Sequence, residues 1–374
     1  MKFLHTADWH LGYHFSQFSP QQNRELSRAR IEMIYAMFNY ARKNSIPLIL
    51  AAGDQFEDGN TADKKLLLEL FSILHQYPEI ELIMIAGNHD PLIQDNIYYR
   101  VDRIHYPKNL TLVEDNSIFD RYEYGCKIYA SSLKEKNGDF DPTGWIDDDE
   151  KDELKIALIH GSLAIEGKYN PEDFPILPDA AKKKKLDYLA LGHWHSYYKH
   201  DEFTYYPGIP EMISFKDVGF VLEVHLQKGR VPSVKKIDGI RQYNWEVEKR
   251  EIKEGDFESF VKKEVKPDPR RILKLILEGY LSIGNYKRLQ EYLGMLEVSF
   301  YKLFVENNII IKPADDEVAR ISSEGYMKNI LTDLLEIKKG KKEFPLEASV
   351  DVDRSEIVDE CLMKIYQFFK RNGN

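Results

Sequence analysis

Four short clusters of polar residues carry side chains able to bind metal ions: Asp8-Trp9-His10, Gly53-Asp54, Gly87-Asn88-His89-Asp90 and Gly192-His193-Trp194-His195. A fifth is His160, followed by Gly161. In an extended segment, residues two apart point the same way, so Asp8 and His10 can chelate one ion and His193 pairs with His195. Gly53, Gly87 and Gly192 stand just before candidate ligands, where a residue without Cβ lets the backbone turn sharply as a strand ends. Taken singly these signals are weak, because a lone His at a strand end is more often a hydrogen-bonded structural residue. Together, carboxylate, imidazole and amide oxygen suit a borderline-hard divalent cation such as manganese or iron. Only Cys126 and Cys361 are present, too few for a thiolate zinc site or a disulfide framework, and they read as reduced packing residues.

These clusters need a scaffold that brings strand ends together. Lys2 to Ala7 reads as a strand, Gln22 to Lys43 as an amphipathic helix, Pro47 to Ala52 as a strand, Asp63 to Tyr77 as a helix and Glu81 to Ala86 as a third strand. Short apolar runs alternating with helical spacing are the mark of crossover-connected strands, and open α/β sheets place ligands just past the strand ends. Shorter strands follow at Thr111–Val113, Lys127–Ala130, Lys155–Ile159, Tyr188–Leu191 and Gly219–Leu226, which fits a layered α/β/β sandwich. Asp147 to Glu153 and Lys182 to Lys185 read as solvated charge runs. Gly229, Pro232 and Gly239 interrupt the pattern and mark a boundary. A smaller α+β unit follows, with strands at Arg271–Leu277 and Glu297–Val305 around a helix at Tyr286–Leu296. Two helical stripes come after Pro313, one from Tyr326 to Leu335 and one from Ile357 to Phe369, joined by the basic link Lys338–Pro345.

The chain of 374 residues suits two or three domains, and 43% apolar with 30% charged residues describes a folded, soluble protein. Apolar runs such as Ile46 to Ala52 are far shorter than the roughly 20 residues of a membrane span. Polar chemistry begins by Asp8, so no signal peptide is expected and the location is expected to be cytoplasmic. The net charge of -10 argues against a generally basic nucleic-acid binder. Residues 1–235 hold 27 Lys/Arg against 36 Asp/Glu, so most of the acidity belongs with the candidate ligands.

HTADWHLG, AAGDQF, IAGNHD, IHG and ALGHWH, in this order, resemble the motifs of SbcD-type DNA double-strand-break repair nucleases, within the calcineurin-like metallophosphoesterases. The resemblance covers residues 1–225 well. RILKLILEGY further resembles the cap of a YhaO-like bacterial subgroup. It implies a four-layer α/β/β/α sandwich over 1–235, an α+β cap over 236–313 and a C-terminal helical segment over 314–374 that binds an ATPase partner. It also implies that Asp8, His10, Asp54 and His195 hold one metal ion and Asp54, Asn88, His160 and His193 the other, with Asp54 bridging. His89 would project toward substrate for transition-state stabilisation or proton donation, and Glu57 would orient its imidazole. Relatives carry His or Asp at the place of Glu57, and usually Ser at that of Ile209.

The activity so implied is that of a manganese-dependent two-metal DNA phosphodiesterase, acting as a 3'-to-5' double-strand exonuclease and a single-strand or hairpin endonuclease. Its implied partner is an SbcC-type ATPase, reached through the C-terminal helices, and relatives form homodimers, for which Arg24–Tyr40 and Asp95–His105 are the places to look. The helical stripes, needing a surface to bury against, agree with such a partner; folding back on the cap is the alternative. Asp58 stands where protein phosphatases of the superfamily carry Arg, which argues against a Ser/Thr phosphatase. The rivals are a small-molecule or cyclic-nucleotide phosphodiesterase and a non-catalytic DNA/ATPase scaffold. Tyr98, Tyr99, Arg100 and Arg103 are candidates for a DNA backbone or simply a solvated helix face. His5, His14, His75, His105, His200 and His225 read as surface or packing residues.

Overall fold

Leu48–Ala52 is wholly apolar, as a central parallel strand buried on both faces must be. In the structure, a computed structural model describing residues 1–149, 153–262, 266–312, 326–343 and 354–372, it is the middle of a six-stranded sheet. The chain forms two compact units, Met1–Trp245 and Glu246–Asn374.

In the first unit the strands are β1 (Lys2–Thr6), β2 (Leu48–Ala52), β3 (Glu81–Ile85), β4 (Leu110–Leu112), β5 (Ser117–Arg121), β6 (Cys126–Ala130), β7 (Leu154–His160), β8 (Ser162–Leu163), β9 (Pro175–Ile176), β10 (Tyr188–Gly192), β11 (Tyr198–Lys199), β12 (Thr204–Tyr206), β13 (Val221–His225) and β14 (Ser233–Ile237). The helices are α1 (Pro20–Lys43), α2 (Lys64–Gln76) and the single turn α3 (Ala180–Lys183). One sheet runs β14-β13-β1-β2-β3-β4, the other β11-β12-β10-β7-β6-β5. Within them β1, β2, β3 and β4 are parallel, as are β6, β7, β10 and β12; β13 pairs antiparallel with both β1 and the edge strand β14, and β5 and β11 are the antiparallel edges of the second sheet.

Strand side chains alternate between faces. Phe3, Leu50, Ala52, Ile83 and Ile85 meet Ile128, Ile156, Leu158 and Ala190 between the sheets. The opposite face of the first sheet, with Leu4, Ile49, Leu82 and Met84, is covered by Met33, Ile34 and Phe38 of α1 and Leu67, Leu70 and Leu74 of α2. The outer layer on the second sheet is thin, formed by α3 with Ala180 and Ala181, by Ile146 and by Tyr206. Helix α1 starts earlier than the periodicity suggests, because Ser19 and Gln22 form a capping box ahead of Pro20.

The divide expected at 235/236 shifts to 245/246. Strand β14 pairs with β13 as the edge of the first sheet, and Trp245 packs on Phe15, Phe18 and Phe215. These aromatic contacts are long-range and invisible to local pattern.

β15 (Asn244–Ile252) leads into the second unit, where β15, β16 (Asp268–Leu281) and β17 (Phe300–Ile311) form a sheet. Helices α4 (Phe257–Lys262) and α5 (Ile283–Glu297) cover it, with Leu289, Leu293 and Leu296 on Leu275, Leu277 and Leu303. Strands β16 and β17 are parallel and longer than the apolar runs suggested. Helices α6 (Tyr326–Lys338) and α7 (Arg354–Asn372) pack on each other through Leu331, Leu335, Val358 and Leu362, and Lys338 pairs with Asp359 at 3.2 Å. The two stripes thus partly cover one another. The expected divide at 313/314, residues 150–152 of the acidic run and residues 344–345 of the basic link lie outside the described residues, as does the side chain of Phe369.

Candidate metal centre

The five clusters fall at the carboxyl ends of adjacent parallel strands in the two facing sheets. Asp8 and His10 follow β1, Asp54 follows β2, Asn88 to Asp90 follow β3, His160 ends β7, and His193 and His195 follow β10. Backbone bonds tie the loops together: Asp8 N donates to Gly53 O and His10 N to Asp54 O, each at 3.0 Å. Strand register sets Gly192 beside His160.

Four of these residues adopt left-handed backbone: Asp8 (φ 54°), His10 (46°), Asp54 (56°) and His193 (112°). Such conformations cost on the order of 1–3 kcal/mol each in non-glycine residues and concentrate at functional sites. The surroundings hold them in place. His193 N donates to Asp8 Oδ1 at 3.1 Å, and His89 N to Asp54 Oδ1 at 2.9 Å.

The side chains gather in two nests. In one, His10 Nε2 lies 3.1 Å from His195 Nε2, with Asp8 beside them. In the other, His160 Nε2 and His193 Nδ1 lie 2.9 and 3.0 Å from Asn88 Oδ1, and His160 Nε2 lies 3.4 Å from Asp54 Oδ2. Asp8, Asp54 and His160 themselves form one group, so the nests meet at the two carboxylates.

The glycines act differently from expectation. Gly53 does take a turning conformation (φ 91°), but Gly87 and Gly192 do not have positive φ. Their requirement is space. A Cβ on Gly87 would strike Asp54 Oδ1 and come within 2.7 Å of His160 Cε1, and one on Gly192 would strike Ala52 O.

Glu57 also has a role other than the one expected. Its carboxylate accepts from His10 Nδ1 at 2.7 Å and stays 4.0 Å from His89 Nδ1; His89 Nδ1 instead donates to the Glu57 backbone oxygen at 2.9 Å. The residue therefore orients both imidazoles, one with each end. His89, 37% exposed, is the most open imidazole of the cluster, ahead of His195 at 29%, whereas His10 and His160 are fully buried.

Asp90, quoted in the third cluster without a role, clamps that loop. It accepts from Gly87 N (2.7 Å), Phe56 N (3.1 Å) and Tyr98 Oη (2.7 Å). An Asp three residues after Gly is a turn signal that could have revealed it. Buried Arg30 of α1 donates to Trp9 O at 2.7 Å, inside the first cluster, and nothing local in the sequence points to it. The loop after β12 braces His195, with Ile209 N donating to His195 O at 2.8 Å.

Tyr98, Tyr99, Arg100 and Arg103 lie on or beside two 3-10 turns rather than on a helix face, with Tyr99, Arg100 and Arg103 exposed. Tyr98 is buried on Asp90; Arg100 donates to Asp95 O and Ala62 O, and Arg103 pairs with Glu114. His5 is a packing residue between Tyr188 Oη (3.0 Å) and Leu191 O (3.2 Å). His14, His75, His105 and His225 are exposed, and His200 half-buried.

The electrostatics describe a cluster short of positive charge. Burial pushes the Asp8 carboxyl up to about 7 against the pull of His160, while neighbouring imidazoles outweigh burial at Asp54 and hold its carboxyl low. At His160 the nearby Asp54 overcomes burial and lifts the imidazole to about 9; burial pushes His193 down to about 3 and His195 to about 4. No Lys or Arg pairs with Asp8 or Asp54 among the described residues. His10 Nδ1 donates to Glu57 and His160 Nδ1 to Ala52 O at 2.7 Å, so each Nε2 faces inward, where a bound cation would take the place of a proton. Imidazole nitrogens, buried carboxylates and an amide oxygen converging without a Lys or Arg partner among the described residues fit divalent cations.

A site of this kind, at the strand ends of a two-sheet sandwich, defines a metal-dependent phosphodiesterase hydrolase. The calcineurin-like phosphoesterase family matches residues 1–197, more than half of the chain, and the protein belongs to that family. It is similar to the SbcD subunit of the SbcCD nuclease of Staphylococcus epidermidis (strain ATCC 12228 / FDA PCI 1200), at 23% identity over 334 residues, 76% of this chain and 85% of that one. The SbcD subunit of the SbcCD nuclease of Bacillus subtilis (strain 168) is 27% identical over 264 residues, 60% of this chain and 65% of that one. Among solved structures, GAP50, the anchor in the inner membrane complex of Plasmodium, aligns loosely at TM-score 0.37 and 11% identity, over 63% of this chain and 88% of that one. No helix among the described residues is long and apolar enough to cross a membrane.

Proposed function

We propose that the protein is a two-metal nuclease acting on DNA as part of a larger complex. Asp8, His10, Asp54 and His195 would hold one divalent ion, and Asp54, Asn88, His160 and His193 the other. The observation that carries this reading is the pair of nests meeting at buried carboxylates beneath the exposed His89. Manganese, or iron, suits the mixed oxygen and nitrogen donors. When bound, the ions supply positive charge to the phosphate oxygens and make an attacking water acidic enough to react near neutral pH. The chain's own residues do the rest. Glu57 fixes His10 in the tautomer that turns Nε2 inward. With Nδ1 engaged by Glu57 O, His89 has Nε2 left to donate a proton to the leaving oxygen.

DNA as substrate is supported by the similarity to the SbcD chains of SbcCD nucleases. The same similarity supports 3'-to-5' exonuclease and hairpin or single-strand endonuclease action, an SbcC-like ATPase partner engaging α6 and α7, a homodimer and a cytoplasmic location. The test is cleavage of linear, hairpin and single-stranded DNA with manganese, with and without a co-expressed SbcC-like ATPase. Metal-dependent cleavage that the ATPase stimulates is the expected result; no cleavage of any DNA overturns the reading. The acidity of residues 1–235 favours one rival, a phosphodiesterase of small or cyclic nucleotides. Turnover confined to a cyclic nucleotide selects that rival. His89→Asn should abolish cleavage of either substrate while manganese binding persists, and unchanged cleavage refutes the role of His89.

A further inference from the structure

Beside the metal-ligand candidates His193 and His195, an open cleft of about 570 Å³ is lined by Trp194, Tyr198, Lys168 and Lys216. We propose that this cleft binds an unpaired nucleotide adjoining the scissile phosphate, an inference that rests on the phosphodiesterase reading of the adjacent centre.

The aromatic wall is rigid. Trp194 Nε1 donates to Ser162 Oγ at 2.9 Å, and its ring stacks on buried Tyr206 with centroids 4.7 Å apart and planes 14° from parallel. Tyr198 leans on Trp194 at 5.1 Å. Held rings lose little freedom when a flat ligand packs on them, and a nucleobase offers such a face only when unstacked from its neighbours. A base inside a duplex cannot reach them.

The cleft also carries uncommitted positive charge. Lys168 Nζ lies 5.1 Å above the Tyr198 ring, Lys216 is exposed, and neither forms an ion pair among the described residues. By contrast, Arg103 pairs with Glu114 and Arg100 donates to backbone oxygens of Asp95 and Ala62. The one acid of the cleft, Asp217, accepts from Ser214 Oγ at 2.6 Å and sits 3.8 Å from His195 Nδ1, with its side chain only 16% exposed. Two free ammonium groups flanking two rings match a phosphate–base–phosphate unit. The volume lies within the range of small-ligand sites, ~300–1,000 Å³.

The test is affinity for a fluorescent oligothymidylate and for a blunt duplex, measured in EDTA so that no strand is cut. Tyr198→Leu should weaken oligothymidylate binding about tenfold and duplex binding less than twofold. Lys168→Ala and Lys216→Ala should each weaken it severalfold and flatten the logarithmic salt dependence by about 0.7. Lys182→Ala, an equal charge loss on α3, should change nothing. Equal affinity of wild type and all cleft variants overturns the proposal, whatever the enzyme cleaves. A wild type that binds through these residues yet cuts no DNA sinks the nuclease reading and keeps the cleft. A wild type that binds no oligonucleotide in EDTA overturns the cleft proposal alone, since the nuclease reading is tested by cleavage with manganese.

Discussion

At the scale of single residues, the centre depends on atoms that are missing as much as on those present. Gly87 gives its Cβ position to Asp54 and His160. Gly87→Ala should therefore lower manganese affinity by at least tenfold while the far-ultraviolet circular dichroism stays native; undiminished affinity by calorimetry contradicts the packing argument. His5 gives a pH prediction away from the metals. Burial holds its imidazole down at about 3, so below the unfolded value near 6.5 the unfolded chain binds the proton that the native chain refuses. Stability from this residue is present above pH 6.5 and is lost as pH falls toward 3, with a slope of up to ~1.4 kcal/mol per pH unit. In chelator, His5→Gln should flatten urea-denaturation midpoints over that window, and an unchanged slope would assign the acid sensitivity elsewhere.

At the scale of elements, period and punctuation did much of the work. The strands ending at Thr6, Ala52 and Ile85 and the helices α1 and α2 fall within a residue or two of where apolar spacing places them, because each has a two-sided or one-sided core to satisfy. The candidate ligands were legible because chemistry sits at strand ends. What was illegible is nonlocal: β14 as an edge strand, Trp245 folded onto Phe15, and Arg30 reaching Trp9 across 21 residues. Glu57 does orient His89, but through its backbone oxygen, while its carboxylate goes to His10; sequence distance does not say which end of a residue faces which ring. In the second unit, Gly279 (φ 117°) lets β16 pass close to Ile252 O, which a Cβ would strike. Gly279→Ala should destabilise this sheet by about 1–3 kcal/mol, seen as faster amide exchange in β15 and β16, while exchange in β1 to β3 is unaltered.

At the scale of the whole molecule, the ligand candidates are drawn from both sheets of the sandwich, three clusters from one and two from the other. Ions bound there would tie the sheets across their open end. Manganese at 100 times its dissociation constant should add about 2.7 kcal/mol of stability per site, raising the melting temperature. Asp54→Asn, which weakens the shared ligand, should lose most of that increment; a full manganese-dependent rise in this variant would show that the ions bind elsewhere.

The left-handed backbone at Asp8, His10, Asp54 and His193 leads to a trade between durability and catalysis. Asparagine and glycine tolerate that conformation better than aspartate or histidine, and neutral side chains remove the repulsion between two buried acids. In chelator, Asp8→Asn should melt at a higher temperature than wild type even though it has lost the ability to work. The backbone that aims these side chains inward is thus also where the fold gives up stability.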